Sequence, residues 1–434
     1  MHPRGDISEF EYIPGYSTES IGCTVGALSG MRVFIAGIDG YLGWPLVLRL
    51  TARGHDVGGA DVFFRRRWVE EIGGQSAVPI CTMNERIEAY KGEFGRELRF
   101  WEGDLRDYNF VVQALRDFRP DAVVHLGECP SAPYSMIDVH HATFVQSNNL
   151  TTTLNLLFAI RDLCPNAHLL KIGTMGEYGT PNIDIPEGFF EIDFRSRRDK
   201  LPFPRQAGSW YHWSKVHDSN NIMFACKIWD LRSTDIMQGV VFGTRIDEMD
   251  DERFLTRFDF DQVFGTVVNR YCAQAVVGHP ITPFGKGLQK RGFLPLRDSM
   301  QCLTLALENP PSKGEYRVLN QFEEVYDVTE LALKVRKVAH QLGLDVKVCN
   351  LENPRIELED HYYRPDHQKL FDLGYHPTRD VDGEIKVVLQ DLMKHRDRIK
   401  EKEDLFIPDV HWNGSRSKVG FLHAMRDEVD LPLG

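Results

Sequence analysis

The sequence predicts an α/β fold: a doubly wound parallel sheet with helices on both faces and a smaller α/β lobe toward the C-terminal side. Three observations predict it. Strand-like and helix-like stretches alternate over about 130 residues from Met31, closely spaced glycines separate the first strand from the first helix, and the regularity fades after about residue 240. Alternation of this kind calls for parallel strands, because a parallel pair needs a long crossover and a helix supplies it.

The elements follow in order. MRVFIAGIDGYLGWPLVLRLTARG (31–54) reads as an apolar strand, a glycine turn and a helix ending at Gly54. HDVGGAD (55–61) and ELRFWEGD (97–104) are the second and third strands. DYNFVVQALRDFRP is a helix stopped by Pro120, and DAVVHLGE (121–128) is a buried strand running into a loop. TTTLNLLFAIRDL (151–163) is an apolar-faced helix, and AHLLKIGTMGEYG (167–179) a strand with a glycine-rich exit. Right-handed crossovers place all these strand exits along one edge, where the chemistry is expected. Beyond 240, DEMDDERFLTRFDFD reads as a charged loop and VFGTVVNRYCAQAVVG as a helix ending at Gly278. ITPFGKGLQKRGFLPLRD reads as a short strand and turn, VTELALKVRKVAHQLGL as an amphipathic helix, and DVKVCNL as a strand. The expected organisation is a flexible leader or tag over 1–30, a dinucleotide-binding domain over 31–235, a partly interleaved lobe over 236–395 and a polar tail over 396–434.

Composition narrows the function. The 434 residues are 42% hydrophobic and 26% charged, which is ordinary globular material. A net charge of −12 offers no positive field to a nucleic acid or an anionic membrane, and no apolar run is long enough to span a bilayer. The first 30 residues lack the basic and apolar regions of an export signal. The eight cysteines are scattered with no two closer than 30 residues, so neither a CxxC pair nor a zinc knuckle is present, and a reducing, cytoplasmic setting is expected. His140, His141, His212 and His217 stand in no HExxH order and are expected as core, cap or substrate contacts, with no metal.

Gly37, Gly40 and Gly43 form GxxGxxG directly after a strand and at a helix start. Glycines there let backbone approach a pyrophosphate, and the helix N-terminus offers amides and partial positive charge. Asp61, at the end of the second strand, is placed to accept from adenosine ribose hydroxyls and to repel a 2′-phosphate, which favours NAD. Arg65, Arg66 and Arg67 follow, as either a solvated basic turn or a sign of NADP. Asp104 either meets the adenine amino group or caps a helix. Tyr211 and Lys215 in YHWSK are one helical turn apart, downstream of the strand-end Thr174. A phenol beside an ammonium is a usable acid and base for a sugar hydroxyl during hydride transfer. Lys286, Lys290 and Arg291 form a basic turn, either merely solvated or a clamp for the pyrophosphate of a nucleotide sugar.

With these residues in view, the chain resembles the extended short-chain dehydrogenase/reductases, the Rossmann-like superfamily of NAD-dependent sugar-nucleotide epimerases and dehydratases. Within it the chain is similar to the UDP-sulfoquinovose synthases. The segments that carry the likeness are GIDGYLGW, SAPYSMID, GTMGEYGTPNIDIPEG, YHWSKVHDSNNI, QGVVFG, VFGTVVNRYCAQAVVGHP, NPRIELEDHYY and HQKLFDLG. The resemblance implies NAD as cofactor, a UDP-sugar such as UDP-glucose as substrate, sulfite or a sulfite donor as co-substrate, and a homodimer formed through helices near 148–163 and 209–228. It implies oxidation at C4, loss of water across C5 and C6, addition of sulfite at C6 and return of the hydride. It extends the expected cofactor contacts to Asp39, Tyr41, Leu42, Leu105, Leu126, Gly127, Asn149 and Gln238. Substrate contacts are expected from Ser131, Tyr134, Gly239, Val240, Arg355 and Tyr362.

Thr174 is followed by Met175 and Gly176, where the superfamily's 4,6-dehydratases carry Asp and Glu. His212 and Glu177 are the expected assistants of the elimination, Glu177 being alternatively an acceptor for loop amides, with Met175 beside them. The chain departs from the synthase pattern at Glu128-Cys129-Pro130, where Glu-Gln-Arg is usual, and at Met237, where Asn is usual. The lost Arg leaves open a UDP-sugar 4-epimerase or dehydratase that omits sulfite addition. A non-catalytic dinucleotide-sensing scaffold fits poorly with the joint presence of Thr174, Tyr211 and Lys215.

Overall fold

The computed structural model describes residues 30–422. The expected leader, except Gly30, and the last twelve residues of the expected tail lie outside the described residues. The chain runs β1 (Arg32–Ala36), α1 (Gly43–Ala52), β2 (Asp56–Asp61), α2 (Phe64–Glu71), α3 (Met83–Phe94), β3 (Arg99–Glu102), α4 (Tyr108–Phe118) and β4 (Ala122–His125). It continues through α5 (Ala132–Ser135), α6 (Val139–Leu163), β5 (His168–Ile172), the hairpin β6 (Phe189–Phe194) and β7 (Arg197–Pro202), α7 (Trp210–Trp229), β8 (Arg232–Gln238) and β9 (Val240–Phe242). Then come α8 (Val267–Val277), β10 (Lys290–Pro295), α9 (Leu296–Glu308), β11 (Tyr316–Gln321), β12 (Glu324–Asp327) and α10 (Val328–Gln341). The short α11 (Gln368–Asp372), α12 (Val381–Met393) and α13 (Arg396–Lys400) complete the order.

Seven strands form one parallel sheet in the order β11-β8-β5-β4-β1-β2-β3. Its strand β1 is apolar on both sides, as burial between two helical layers demands: Val33, Phe34, Ile35 and Ala36 are all buried. One face packs on α1, α3 and α9 through Leu46, Tyr90 and Leu303, the other on α4, α6 and α7 through Leu115, Leu156 and Ile222. The strand order reverses between β1 and β4, so their exits diverge and open a crevice at the C-terminal edge.

A three-stranded sheet, β12-β10-β9, packs with α8, α10 and α12 around a second core of Phe293, Tyr271, Val335 and Leu389. The two lobes interleave more deeply than a boundary at 235 implies. β8 continues to Gln238, and β11 returns from the second lobe to close the edge of the large sheet. The expected strand DVKVCNL makes only isolated bridges, Ile281 to Val348 and Phe284 to Leu351. Its neighbour carries Pro280 and Pro283, which lack the donors a ladder needs. The basic stretch 65–67 lies on helix α2 and not in a turn.

The segment expected as a polar tail is structured as far as it is described. Ile399 and Phe406 are fully buried in the second core, and Trp412 Nε1 donates to the Gly208 carbonyl at 2.8 Å, strapping the segment across the start of α7. Ile399, Phe406, Val410 and Val419 are buried in this otherwise polar stretch and fold it back. No helix among the described residues is long and apolar enough to cross a membrane.

Candidate active site

A cavity of about 630 Å³ occupies the crevice, within the range of small-molecule sites. Its floor is the glycine turn. Gly37 has φ +90°, and a Cβ there would stand 2.6 Å from the Leu126 carbonyl carbon in the loop leaving β4. A Cβ on Gly43 would stand 2.2 Å from the Gly37 oxygen. Leu42, the N-cap of α1, provides no side-chain cap, and its own amide and that of Gly43 are left for an anion, whereas the Trp44 amide returns to the Gly40 carbonyl at 3.3 Å and Pro45 has no N–H. This close-packed turn below an uncapped helix fits a dinucleotide pyrophosphate. Gly37, Gly40, Tyr41, Leu42 and Gly43 line the cavity, as do Leu105, Leu126 and Gly127.

Asp61 lines it too, its oxygens accepting from the Asp39 amide at 2.9 Å and the Phe63 amide at 2.7 Å. Burial, reinforced by Asp39, pushes its carboxyl up to about 6. It is therefore mostly ionised at neutral pH, with lone pairs left for ribose hydroxyls. The arginines after it are engaged. Arg65 pairs with Asp259 at 2.7 Å and lies over the Phe264 ring, and Arg66 pairs with Asp39 at 2.7 Å. Arg67 donates to its own helix's leading carbonyl, Val62 O, at 2.6 Å. With Arg65 and Arg66 neutralised in this way, no free cationic trio awaits a 2′-phosphate, which agrees with NAD. Asp104 lines the cavity and is held by Arg106 at 2.6 Å.

At the other end, Ser209 caps α7, and the helix carries Tyr211, His212 and Lys215 into the cavity. Lys215 Nζ donates to the Ile172 carbonyl at 2.6 Å and stands 2.5 Å from Glu128 Oε2. Burial, with Glu128 next, pushes the Tyr211 phenol well up. Thr174 and Met175 line the cavity at the end of β5, the Thr174 hydroxyl accepting the Gly176 amide at 3.1 Å. His212 packs on Gly176 so closely that a Cβ there would meet Nε2 at 2.4 Å. The imidazole thus occupies the space that a side chain at 176 would fill. Its other nitrogen is 2.9 Å from the Ser209 hydroxyl, and burial pushes its pKa down to about 3, so the ring is neutral at rest.

Several expected residues are placed elsewhere. Glu177 is fully buried, does not line the cavity, and pairs with Arg205 at 2.6 Å and Lys171 at 3.3 Å while accepting the Thr174 amide. It is the structural acceptor of the two readings and not an assistant of elimination. Asp39 faces Arg66 and Arg86, knitting the glycine turn to α2 and α3. Asn149 holds the β4 exit through the Cys129 amide at 2.8 Å and Ser214 at 2.9 Å. Tyr134 donates to Glu71 at 2.7 Å, Tyr362 is exposed and bonded to Asp184, and Lys290 points to solvent. Except at Lys290, a nearer partner claims the polar group before a ligand can.

Ser131, Gln238, Gly239, Val240, Arg291 and Arg355 do line the cavity. Arg291 pairs with Glu357 at 2.8 Å, and Arg355 lies over the Trp412 ring. Three further lining residues, Glu128, Arg270 and Trp412, have no expected role from the sequence, although Glu128 and Arg270 fall within segments compared with the synthases. Arg270 is buried against the Phe284 ring with its Nε unpartnered, and a lone Arg in the apolar helix VVNRYCAQAVV is the one signal that could have found it. Cys129 is fully buried outside the cavity, its thiol pushed up to about 12 by burial, whereas Pro130 lines it without charge.

Sheet order, glycine cradle and the Thr174–Tyr211–Lys215 group define a dinucleotide-dependent enzyme acting on a sugar nucleotide. Residues 33–320 match the profile of the NAD dependent epimerase/dehydratase family, and the chain belongs to that family. It is similar, at 47% identity over 383 residues, to the UDP-sulfoquinovose synthase of Sulfolobus acidocaldarius, the match covering 88% of this chain and 98% of that protein. The chloroplastic UDP-sulfoquinovose synthase of Spinacia oleracea is 47% identical over 382 residues, covering 88% of this chain and 79% of that one. Among solved structures, a Stenotrophomonas maltophila UDP-glucose-4-epimerase with bound NAD and formylated UDP-arabinopyranose superposes with a TM-score of 0.64 at 16% identity, over 86% of this chain and 99% of that chain. The Bacillus cereus UDP-glucuronic acid 4-epimerase with UDP-glucuronic acid and NAD gives 0.62 at 19%, over 86% and 100%. At these identities the structures speak for the fold.

Proposed function

We propose that the protein converts UDP-glucose and sulfite to UDP-sulfoquinovose and water. The observation that carries this reading is the 47% identity to two synthases across 88% of the chain. The Thr174-Met175-Gly176 strand end, with His212 packed over its glycine, supplies a chemistry that suits it.

Bound NAD supplies the acceptor, and later the donor, of the C4 hydride. Tyr211 Oη takes the proton of the C4 hydroxyl, the Thr174 hydroxyl orients that oxygen, and Lys215 anchors the helix face against β5. The ketone at C4 acidifies the C5 hydrogen, so the C6 hydroxyl can leave once protonated. His212 can carry both proton movements: with Nδ1–H donating to the Ser209 hydroxyl, Nε2 is unprotonated, takes the C5 hydrogen as a proton and gives it to the C6 hydroxyl, which leaves as water while the ring returns to neutral. Sulfite then adds at C6, the resulting enolate takes a proton of solvent origin at C5, and Tyr211 returns its proton as the hydride returns to C4. Arg270, Arg291 and Arg355, all from the second lobe, hold the UDP pyrophosphate. In a chain of charge −12, capture of this anion depends on such local cations and on the glycine-turn amides.

The same reading includes a second copy of the chain. Trp210, Trp213, Phe224 and Ile228 of α7 and Leu154 and Phe158 of α6 are exposed side by side on adjacent helices, an apolar surface that we assign to a homodimer. All seven cysteines among the described residues are free thiols, which suits the expected reducing, cytoplasmic setting.

One observation favours the rival reading. Uncharged Pro130 lines the cavity where the synthases are expected to carry Arg, so the site has one cation fewer to hold sulfite. Incubation with UDP-glucose, alone and over a wide range of free sulfite, decides by product mass. The sulfonated sugar nucleotide is the expected product. Its absence at every sulfite concentration, with an isomer or a dehydrated sugar in its place, would establish the rival.

A further inference from the structure

Glu128 lines the cavity just after Leu126 and Gly127 at the β4 exit, and the catalytic steps proposed for Tyr211, Thr174 and His212 give it no part. Its carboxylate is 2.5 Å from Lys215 Nζ, with the two side chains only 2% and 4% exposed. The contact is an ion pair without an aligned hydrogen bond, and both Glu128 oxygens remain without a hydrogen-bond partner although they are buried. Its other neighbour is His125, 3.2 Å away, whose ring is bonded to the Thr153 hydroxyl at 3.0 Å. Burial pushes the His125 pKa down to about 4, so this ring is neutral and, among the described residues, Lys215 is the one cation in contact with Glu128.

The remaining charges around Tyr211 balance among themselves. From β5, Lys171 faces Glu177 at 3.3 Å and Asp235 at 3.5 Å, and Glu177 also holds Arg205. From α7, His212 is neutral, and Asp218, next to Glu128, has its carboxyl pushed well up by burial. From the β4 exit, the Cys129 thiol is protonated. Lys215 and Glu128 are therefore the adjustable charges beside the phenol. A lysine standing alone would favour the phenolate and, beside a nicotinamide, the reduced ring, which has lost a positive charge. A carboxylate set against it favours the phenol and the oxidised ring. That is the state to which a reaction with no net redox change must return.

We propose that Glu128 is a positioning residue which fixes Lys215 and offsets its charge, so that Tyr211 keeps the C4 proton until it is given back and the bound cofactor rests oxidised. The inference rests on the proposed function for the part Tyr211 plays. Its test uses the full-length enzyme and Glu128→Gln, with two readouts that a merely structural role would not move. The first is kcat against pH with UDP-glucose and sulfite. Removing the anion makes the phenol easier to ionise, so the acid limb, where Tyr211 must first lose its proton, moves to lower pH by about one unit or more. The second is the near-ultraviolet absorbance of reduced nicotinamide after UDP-glucose is added without sulfite, which rises above that of the unmodified enzyme. Glu128→Asp, which keeps the charge, restores both in part and decides the matter if the Gln variant does not fold. An unchanged limb and unchanged absorbance, whatever the loss of kcat, would overturn the proposal. If the unmodified enzyme makes no sulfonated product, the functional reading fails, while the absorbance comparison still decides the role of Glu128.

Discussion

Tyr211→Phe is expected to lower turnover by roughly 10²- to 10⁴-fold, the range a positioned general acid–base group contributes, while leaving the affinities for NAD and UDP-glucose nearly unchanged. The ring itself is retained. It packs in a cluster with Ala132, Tyr134 and Val263, so the substitution removes the phenolic oxygen and no packing. No other group lining the catalytic end can take the lost role: Lys215 is committed to Glu128 and the Ile172 carbonyl, and His212 is neutral and directed over Gly176. Stopped-flow absorbance of reduced nicotinamide after mixing with UDP-glucose measures the first hydride transfer directly. The variant should show tight binding with no reduced cofactor. A variant that reduces its cofactor at the normal rate would remove Tyr211 from the mechanism.

Gly37→Ala is expected to weaken NAD binding by roughly tenfold to hundredfold, since a non-glycine residue forced to positive φ costs about 1–3 kcal/mol. The cost falls on the cofactor site because of what surrounds the turn. The added Cβ would meet the carbonyl carbon of Leu126 at 2.6 Å and the Gly127 amide at 2.8 Å, and these are backbone atoms that cannot rotate away. Relief requires the β4 exit to retreat from the glycine turn, which widens the cradle on one side and shifts Glu128 on the other. Cofactor retained through purification, together with Kd by titration, measures the effect. A variant that keeps NAD as tightly as the unmodified protein would show that the turn does not hold the pyrophosphate.

The parts of this architecture that lie close together in the chain are legible in the sequence. The strand MRVFIAG, its glycine turn and its helix form one local unit, and the helical spacing of Tyr211 and Lys215 follows from the period of an α-helix alone. What the sequence hides depends on partners far apart in the chain. Arg65 reads as a solvated cation until Asp259, 194 residues away, is seen to hold it. Glu177 has the same composition signal as a catalytic acid, and only the burial of Lys171 and Arg205 around it makes it structural. Trp412 sits in a stretch whose average polarity suggests a tail, and a few buried side chains outweigh that average. Only half of the β6–β7 hairpin is marked in the sequence: in β6, Phe190, Ile192 and Phe194 alternate with Glu191 and Asp193, whereas β7 reads RRDKLP and is exposed throughout, so no hydrophobic alternation marks it.

The central claim is a hydride that leaves C4 and comes back to the same carbon. UDP-glucose deuterated at C4, incubated with the enzyme and sulfite in ordinary water, tests it most directly when the product is examined by mass spectrometry and NMR. The account predicts a sulfonated sugar nucleotide that retains deuterium at C4, with solvent-derived hydrogen at C5. Sulfonated product that has lost the deuterium from C4, or product that forms at an undiminished rate after the enzyme has been stripped of NAD, would contradict it.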